Sequence, residues 1–366
     1  MKFQINKNEI YQIIQQAYSF TSIKNIETIL QNILIEAIDN KIYFKTSNIM
    51  SGYEAYIEKH VNKEGKITVS CKKLLEILKE LPTDADIDFD FNDNKLHIKT
   101  NSTSFSLSTI DPSVFPTMSD ITPEYYVKIK GDKLLNLLNK TYFCIANEAS
   151  KISYKGAHFK IIGNKIEVSS SDFQRIAIAN DTLDDKYFDE FIINIPKRTI
   201  MELSKIIDCN IDIEMETDKK QVLFKIGNKI IYSNLIGSYI SSLNKLFESQ
   251  FTIKIKMSRD KIFTSLKRVA TITNEINHGV VFSFKGESLK ISSMETEYGY
   301  GNETLDGIKK IGKDISFIFN ARLFLEIISH INSDYFYLHL VGSKNPVIIS
   351  PDEEGYKYLM VTISLE

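Results

Sequence analysis

The sequence predicts an α+β protein made of three tandem repeats, each with two helices and antiparallel sheet. Two recurrences and one change of period carry that reading. FQINKNEIYQII (3–14), VKIKGDKLLNLL (127–138) and IKMSRDKIFTSL (255–266) share one pattern at offsets of 124 and 128 residues. ITVSCKKLLEIL (67–78), IINIPKRTIMEL (192–203) and ISFIFNARLFLEII (315–328) form a second family about half a repeat later. In both families a short apolar/polar alternation breaks at a polar residue and gives way to apolar residues at helical spacing.

Taken in order, each repeat reads strand, helix, strands, strand, helix, then a train of short strands. The helices are expected at 7–18, 72–80, 131–146, 197–207, 258–274 and 321–330. Glu76, Glu202 and Glu326 fall at matching places in the second helix of each repeat. The trains are IDFDF, LHIK and FSLSTI, then IDIEM, VLFKI and IIYSNLI, then YFYLHL, PVIIS and YLMVTI. Their period of two marks half-buried strands. Linkers fall near 117–124 and 237–250, which divides the chain into domains 1–122, 123–248 and 249–366.

The totals exclude several classes. A chain of 366 residues is long for one core, and 43% hydrophobic with 25% charged residues is ordinary for a soluble globular protein. No apolar run approaches the length that spans a bilayer, and the mixed Lys, Asn and Glu of MKFQINKNEIYQIIQQAY are unlike a signal peptide. Cys71, Cys144 and Cys209 are widely spaced without CxxC, so buried free thiols in a reducing cytoplasm are expected.

The net charge of −2 conceals an uneven distribution. The six expected helices carry +7 and the remainder of the chain −9. With one apolar face of each helix on its sheet, the bases should gather on the opposite face. Six helices biased one way point to a surface aimed at a polyanion. Neither an aromatic stripe for stacking single-stranded bases nor a recognition-helix pattern accompanies them, so the attraction is to phosphates without regard to sequence.

The sequence holds no catalytic constellation. His60, His97, His158, His278, His330 and His339 are scattered without HxH or HExxH spacing, and no metal site is expected. There is no GxxxxGK[ST] and no GxGxxG after a strand, so no cofactor is expected either. SLNK (242–245) matches SxxK without its companion motifs, and IDFDFND (87–93) reads as an amphipathic strand with a solvated acidic face.

With its three repeats, the start MKF, FSLSTIDPSVFP (105–116) and IPKR (195–198), the whole chain resembles the bacterial sliding clamps, the beta subunits of DNA polymerase III holoenzyme. That resemblance implies three copies of the DNA-clamp fold per chain and a ring-shaped head-to-tail dimer with helices inside and sheets outside. It implies no reaction. The partners it implies are double-stranded DNA bound without sequence preference, the polymerase III catalytic subunit, a clamp loader and other proteins carrying a clamp-binding motif, in a bacterial cytoplasm and without a membrane.

Site residues follow partly from charge and partly from the resemblance. Lys24, Lys197 and Arg198 match basic positions of the family, and Lys72, Lys73, Arg259 and Arg268 come from the charge pattern. Lys133 and Lys151 complete the expected DNA-binding set. VSSSDFQRIAI (168–178) aligns with the family's TDGHRLA signature, which lines a pocket for partner peptides, keeping Asp172, Arg175 and Ala177 but replacing glycine with Phe173 and histidine with Gln174. The implied groove comprises Tyr154, Ser171, Phe173, Gln174, Arg175, Ile176, Lys245, Leu246, Met360, Val361, Thr362 and Ile363. The tail ends VTISLE rather than in the family's Met-Pro-Met-Arg-Leu-like run, and Tyr239-Ile240 stand where the family has phenylalanine-proline. Phe105 and Leu107 on an open edge strand, with Thr271 and Ile272 at a helix end, are the expected dimer contacts. Two other readings stay open: a repeat protein that binds DNA without closing a ring, and an enzyme whose site forms between repeats. The groove residues could also simply seal the second repeat against the third.

Overall fold

In a computed structural model, residues 1–22, 28–116, 121–147, 151–238, 243–248 and 250–363 are described, without the side chains of 188, 189, 244 and 245. Lys24, Tyr239 and Ile240 lie outside the described residues, as does the side chain of Lys245.

Among those residues there are six α-helices: α1 Lys7–Ser19, α2 Cys71–Glu80, α3 Gly131–Thr141, α4 Lys197–Ile206, α5 Arg259–Ala270 and α6 Ala321–Ser329. Each starts where a strand meets a polar break. Asn6 caps α1 in a reciprocal box with Glu9, Ser70 caps α2 and Asn320 caps α6. Two helices are shorter than their periodicity suggests. α3 stops at Thr141, whose hydroxyl donates to the carbonyls of Leu137 (2.8 Å) and Leu138 (3.3 Å), and the chain tightens into a 3-10 turn at Tyr142–Cys144. α5 stops at Ala270, with the hydroxyls of Thr271 and Thr273 turned back onto the last carbonyls. Threonine hydroxyls that bond the preceding turn compete with helix continuation.

The strands form three antiparallel sheets. A thirteen-stranded sheet runs from Tyr125–Lys130 at one edge to Val61–Lys63 at the other, and it joins two repeats where Ser51–Glu58 pairs with Lys229–Asn234. A seven-stranded sheet joins the long hairpin Gly156–Ser171 and Arg175–Pro196 to Tyr356–Met360 near the C-terminus. The four-stranded sheet holds Gly279–Lys285, Ser288–Ser293, Asn302–Leu305 and Ile315–Asn320. There Phe319 lies 4.8 Å from Phe324, which roots α6 on its sheet. Strand pairing across repeat boundaries divides the chain into two compact units that do not follow the repeats. One holds Met1–Leu135 and Arg198–Gly237, the other Asn136–Lys197 and Ser238–Glu366.

Two expectations need correction. Cys71 and Cys144 are buried, and burial pushes both thiols up, but Cys209 is exposed in the turn after α4. The helix bases also do not all gather on an open face. Lys7 is buried and donates to the carbonyls of Lys79 and Leu81 at the end of α2, while Lys140 is buried and donates to His330 at the end of α6. A helix C-terminus presents unpaired carbonyls and partial negative charge, so a cation there is stabilising.

Candidate groove and nucleic-acid interface

The turn inside VSSSDFQRIAI is a hairpin tip built by its own side chains. The Asp172 carboxylate accepts from the amides of Gln174 (3.1 Å) and Arg175 (2.7 Å), and Ser171 Oγ donates to the Arg175 carbonyl at 2.8 Å. Such a tight tip forces Phe173 into the left-handed region at φ 71°. Glycine enters that region without penalty, whereas a residue with a Cβ does not. Phe173 is held there by a stack on Tyr154, with ring centroids 3.8 Å apart and planes 25° from parallel.

Arg175 does not face the open groove. Its buried guanidinium donates to Asp172 (3.0 and 2.8 Å), Glu326 on α6 (2.7 Å) and the carbonyls of Leu323 and Phe143 (both 3.3 Å), and it lies 5.4 Å from the Phe143 ring. A planar fork satisfied on every side anchors the turn to α6. Of the three glutamates at matching repeat positions, Glu76 pairs with Lys73 at 2.8 Å and Glu202 with Lys205 at 3.0 Å, so only Glu326 reaches an arginine.

Beside the turn an apolar surface lies over an apolar floor. Phe173 (47% exposed), Leu246 (52%) and Val361 (42%) stand open with Gln174, while Tyr154 and Ile363 are half-buried. Ile176, Ile178, Leu243, Phe247, Ile348 and Leu359 form the floor, with Phe251 packed against them. Ser171, Met360 and Thr362 are buried. The C-terminal strand is registered by Arg175 opposite Met360, by the Val361 amide on Gln174 (2.9 Å) and by the Ile363 amide on Ile318 (2.9 Å). Leu243, Phe247, Ile348 and Leu359 were not singled out by the sequence. The one signal for the first two was their helical spacing of four.

Among the expected DNA-binding residues, Lys72, Lys73, Lys151, Arg198 and Arg268 are exposed, and Lys133, Lys197 and Arg259 are half-buried. Several already hold protein partners. Lys197 donates to the Ile145 carbonyl (2.6 Å) and Asn147 (2.7 Å), and desolvation lowers its pKa from the ordinary lysine value. Arg198 donates to the carbonyls of Ser19 (2.7 Å) and Thr21 (2.8 Å) just past α1. Arg259 donates to Ile331 (2.9 Å) past α6 and pairs with Asp260, and Arg268 grips Glu303. Arg198 and Arg259 therefore serve the same helix-end role as Lys7 and Lys140.

Phe105 and Leu107 sit half-buried on the strand Ser104–Ile110. Lys95–Lys99 pairs along one side of it, while Gly65–Ser70 reaches only Thr109 and Ile110 on the other, so an edge stays open at Ser104–Ser108. In the other unit Thr271 is exposed and Ile272 half-buried. Ile276 (91% exposed) and Tyr298 (72%) stand nearby, lining a cavity of about 540 Å³ with Glu275, Glu295 and Glu297. Ile276 and Tyr298 were missed because single apolar residues in loops carry no period. Among the described residues, no three His, Cys, Asp or Glu could hold a metal ion, and no helix is long and apolar enough to cross a membrane.

Comparison with known proteins gives one family along the chain. The DNA polymerase III beta subunit models match in order: the N-terminal domain over residues 1–119, the central domain over 128–240 and the C-terminal domain over 244–363. The beta sliding clamp of Chlamydia muridarum is 23% identical over 363 residues, covering 98% of each chain. That of Bacillus subtilis is 24% identical over 376 residues, covering 99% of each. A solved sliding clamp from Pseudomonas aeruginosa superposes with a TM-score of 0.96 at 19% identity, with both chains covered completely.

Proposed function

This chain belongs to the DNA polymerase III beta subunit family, and from that premise we propose how it works as a DNA sliding clamp. Two copies close head to tail around duplex DNA in a bacterial cytoplasm, and the ring tethers the polymerase III catalytic subunit and other motif-carrying partners after a clamp loader opens it. Residues 1–122, 123–248 and 249–366 are its three clamp domains. The observation that carries this reading is the match of all three consecutive family domains to one chain, with relatives covered end to end.

The clamp holds DNA by topology and performs no reaction. Its helix bases neutralise phosphates, which gives attraction without base reading. Lys72 and Lys73 are suited to this by exposure, with Lys24, Lys133, Lys151, Lys197, Arg198, Arg259 and Arg268 as the further contacts. Closure sets Phe105 and Leu107 of one copy against Thr271 and Ile272 of the other, and Ile276 and Tyr298 enlarge that face. Ile276 and Tyr298 line one cavity together, and it is such a contiguous exposed apolar patch, rather than a single residue, that marks a contact surface. The groove takes short partner peptides, whose apolar anchors settle over Ile176, Leu243 and Phe247 beside Phe173, Leu246 and Val361.

Primer extension tests the proposal. With the cognate polymerase III catalytic subunit and loader, product length per binding event should rise many-fold when this chain is added. Unchanged product length would refute the assignment.

A further inference from the structure

The two walls of the groove come from separate segments, Ile152–Lys155 and Asn244–Phe247, and one buried side chain holds a carbonyl within the first and a carbonyl six residues ahead of the second. Asn194 lies on the strand Arg175–Pro196 opposite His158. Its carboxamide nitrogen donates to the Ser153 carbonyl at 3.0 Å and to the Ser238 carbonyl at 2.8 Å. An amide nitrogen has two hydrogens, and both are used. Ser153 immediately precedes Tyr154, the ring under Phe173. Ser238 stands five residues before Leu243, where the chain enters the apolar floor.

The surroundings fix this side chain. His158 Nε2 lies 3.0 Å from the same Ser153 carbonyl, and since a carbonyl only accepts, Nε2 carries the ring proton. A Cβ on Gly156 would come within 2.2 Å of Asn194 Oδ1, so only glycine fits beneath it. Asn194 Oδ1, His158 Nδ1 and Ser238 Oγ are buried without partners among the described residues. Desolvation lowers the His158 pKa to about 4, so the ring is neutral at physiological pH and places no charge in the cluster.

We infer that Asn194 is a positioning residue of the peptide groove, a clasp that sets the Tyr154–Phe173 wall and the Leu243–Phe247 wall at a fixed separation. The inference rests on the groove reading given above. Asn194 touches no partner itself. It acts through two main-chain carbonyls, which side-chain changes at Ser153 or Ser238 would leave in place.

The test uses the full-length dimer and a fluorescein-labelled peptide carrying a glutamine and apolar anchors. Asn194→Asp keeps the shape but turns acceptor oxygens toward two carbonyls. Peptide affinity should fall at least about tenfold, the scale of one lost buried hydrogen bond. Dimerisation and retention on circular DNA should stay as in the wild type. Hydrogen exchange should quicken at residues 151–156, 236–238 and 243–248 and stay as in the wild type on the helices α1, α2 and α4. If Asn194→Asp does not fold, Asn194→Ser, which can serve at most one carbonyl, gives the same comparison. Leu246→Ala is the control for the groove. Wild-type binding that Leu246→Ala weakens and neither Asn194 variant weakens overturns the clasp alone. A peptide that fails to bind wild type, or that ignores Leu246→Ala, overturns the groove reading and the clasp with it.

Discussion

Replacing Phe173 by glycine and by alanine separates two opposed contributions at the hairpin tip. The left-handed backbone at φ 71° costs a residue with a Cβ about 1–2 kcal/mol. The stack on Tyr154 at 3.8 Å returns about 0.5–1.5 kcal/mol. Phe173→Gly removes both, so its stability should lie within about 1 kcal/mol of wild type. Phe173→Ala loses the stack and keeps the strain, so it should be the least stable of the three, about 1 kcal/mol below the glycine variant. That order reverses the usual one, in which glycine is worse than alanine because of its unfolded-state entropy. Urea unfolding followed by circular dichroism reads the difference directly. An alanine variant as stable as the glycine variant would show that the tip is not strained and that Phe173 needs another explanation.

Arg175→Met should destabilise the chain by about 2–3 kcal/mol, because the buried fork loses its hydrogen bonds to Asp172 and to the Leu323 and Phe143 carbonyls, while Glu326, 44% exposed, can turn to water; a urea midpoint that barely moves would exclude the anchor role. His158 binds its proton more weakly in the folded state, at about 4 against 6.5 when unfolded, so its contribution is fully present above pH 6.5 and is lost as pH falls toward 4. Relative to wild type, His158→Gln should show a shallower loss of stability across that window, by at most about 3 kcal/mol. Lys72→Ser with Lys73→Ser should lower the salt slope of DNA retention by about two units with thermal stability unchanged, whereas Arg198→Gln should also cost about 1 kcal/mol of stability at the end of α1.

The helices and the repeat were legible because they rest on periodicity, which a local stretch of sequence contains. The helix starts were legible as the polar break between the two periods, and the structure puts the capping residues Asn6, Ser70 and Asn320 at that break in α1, α2 and α6. Helix ends were less legible, since Thr141 stops α3 through a hydroxyl that could equally have pointed to solvent. The groove was visible only through its resemblance to a known signature; the hairpin turn at Asp172–Gln174 falls within the stretch that aligns with it, and its geometry comes from the Asp172 carboxylate. The inward course of Arg175 was not visible, because its partners Phe143, Leu323 and Glu326 are distant in sequence. The basic bias of the helices lies in their composition, but composition does not distinguish Lys72, open to solvent, from Lys7, spent on the carbonyls ending α2. Asn194 carried no signal at all, since its meaning lies in two carbonyls from separate segments.

Retention on DNA of two topologies tests the sliding-clamp assignment most directly. The chain is loaded onto a nicked circle by its clamp loader, separated from free protein by gel filtration, and followed before and after a single restriction cut. A clamp stays on the circle and runs off the ends once the DNA is linear, so the predicted result is bound protein that disappears on cutting. Equal retention on circular and linear DNA would mean that contacts alone hold the chain, and would contradict the account.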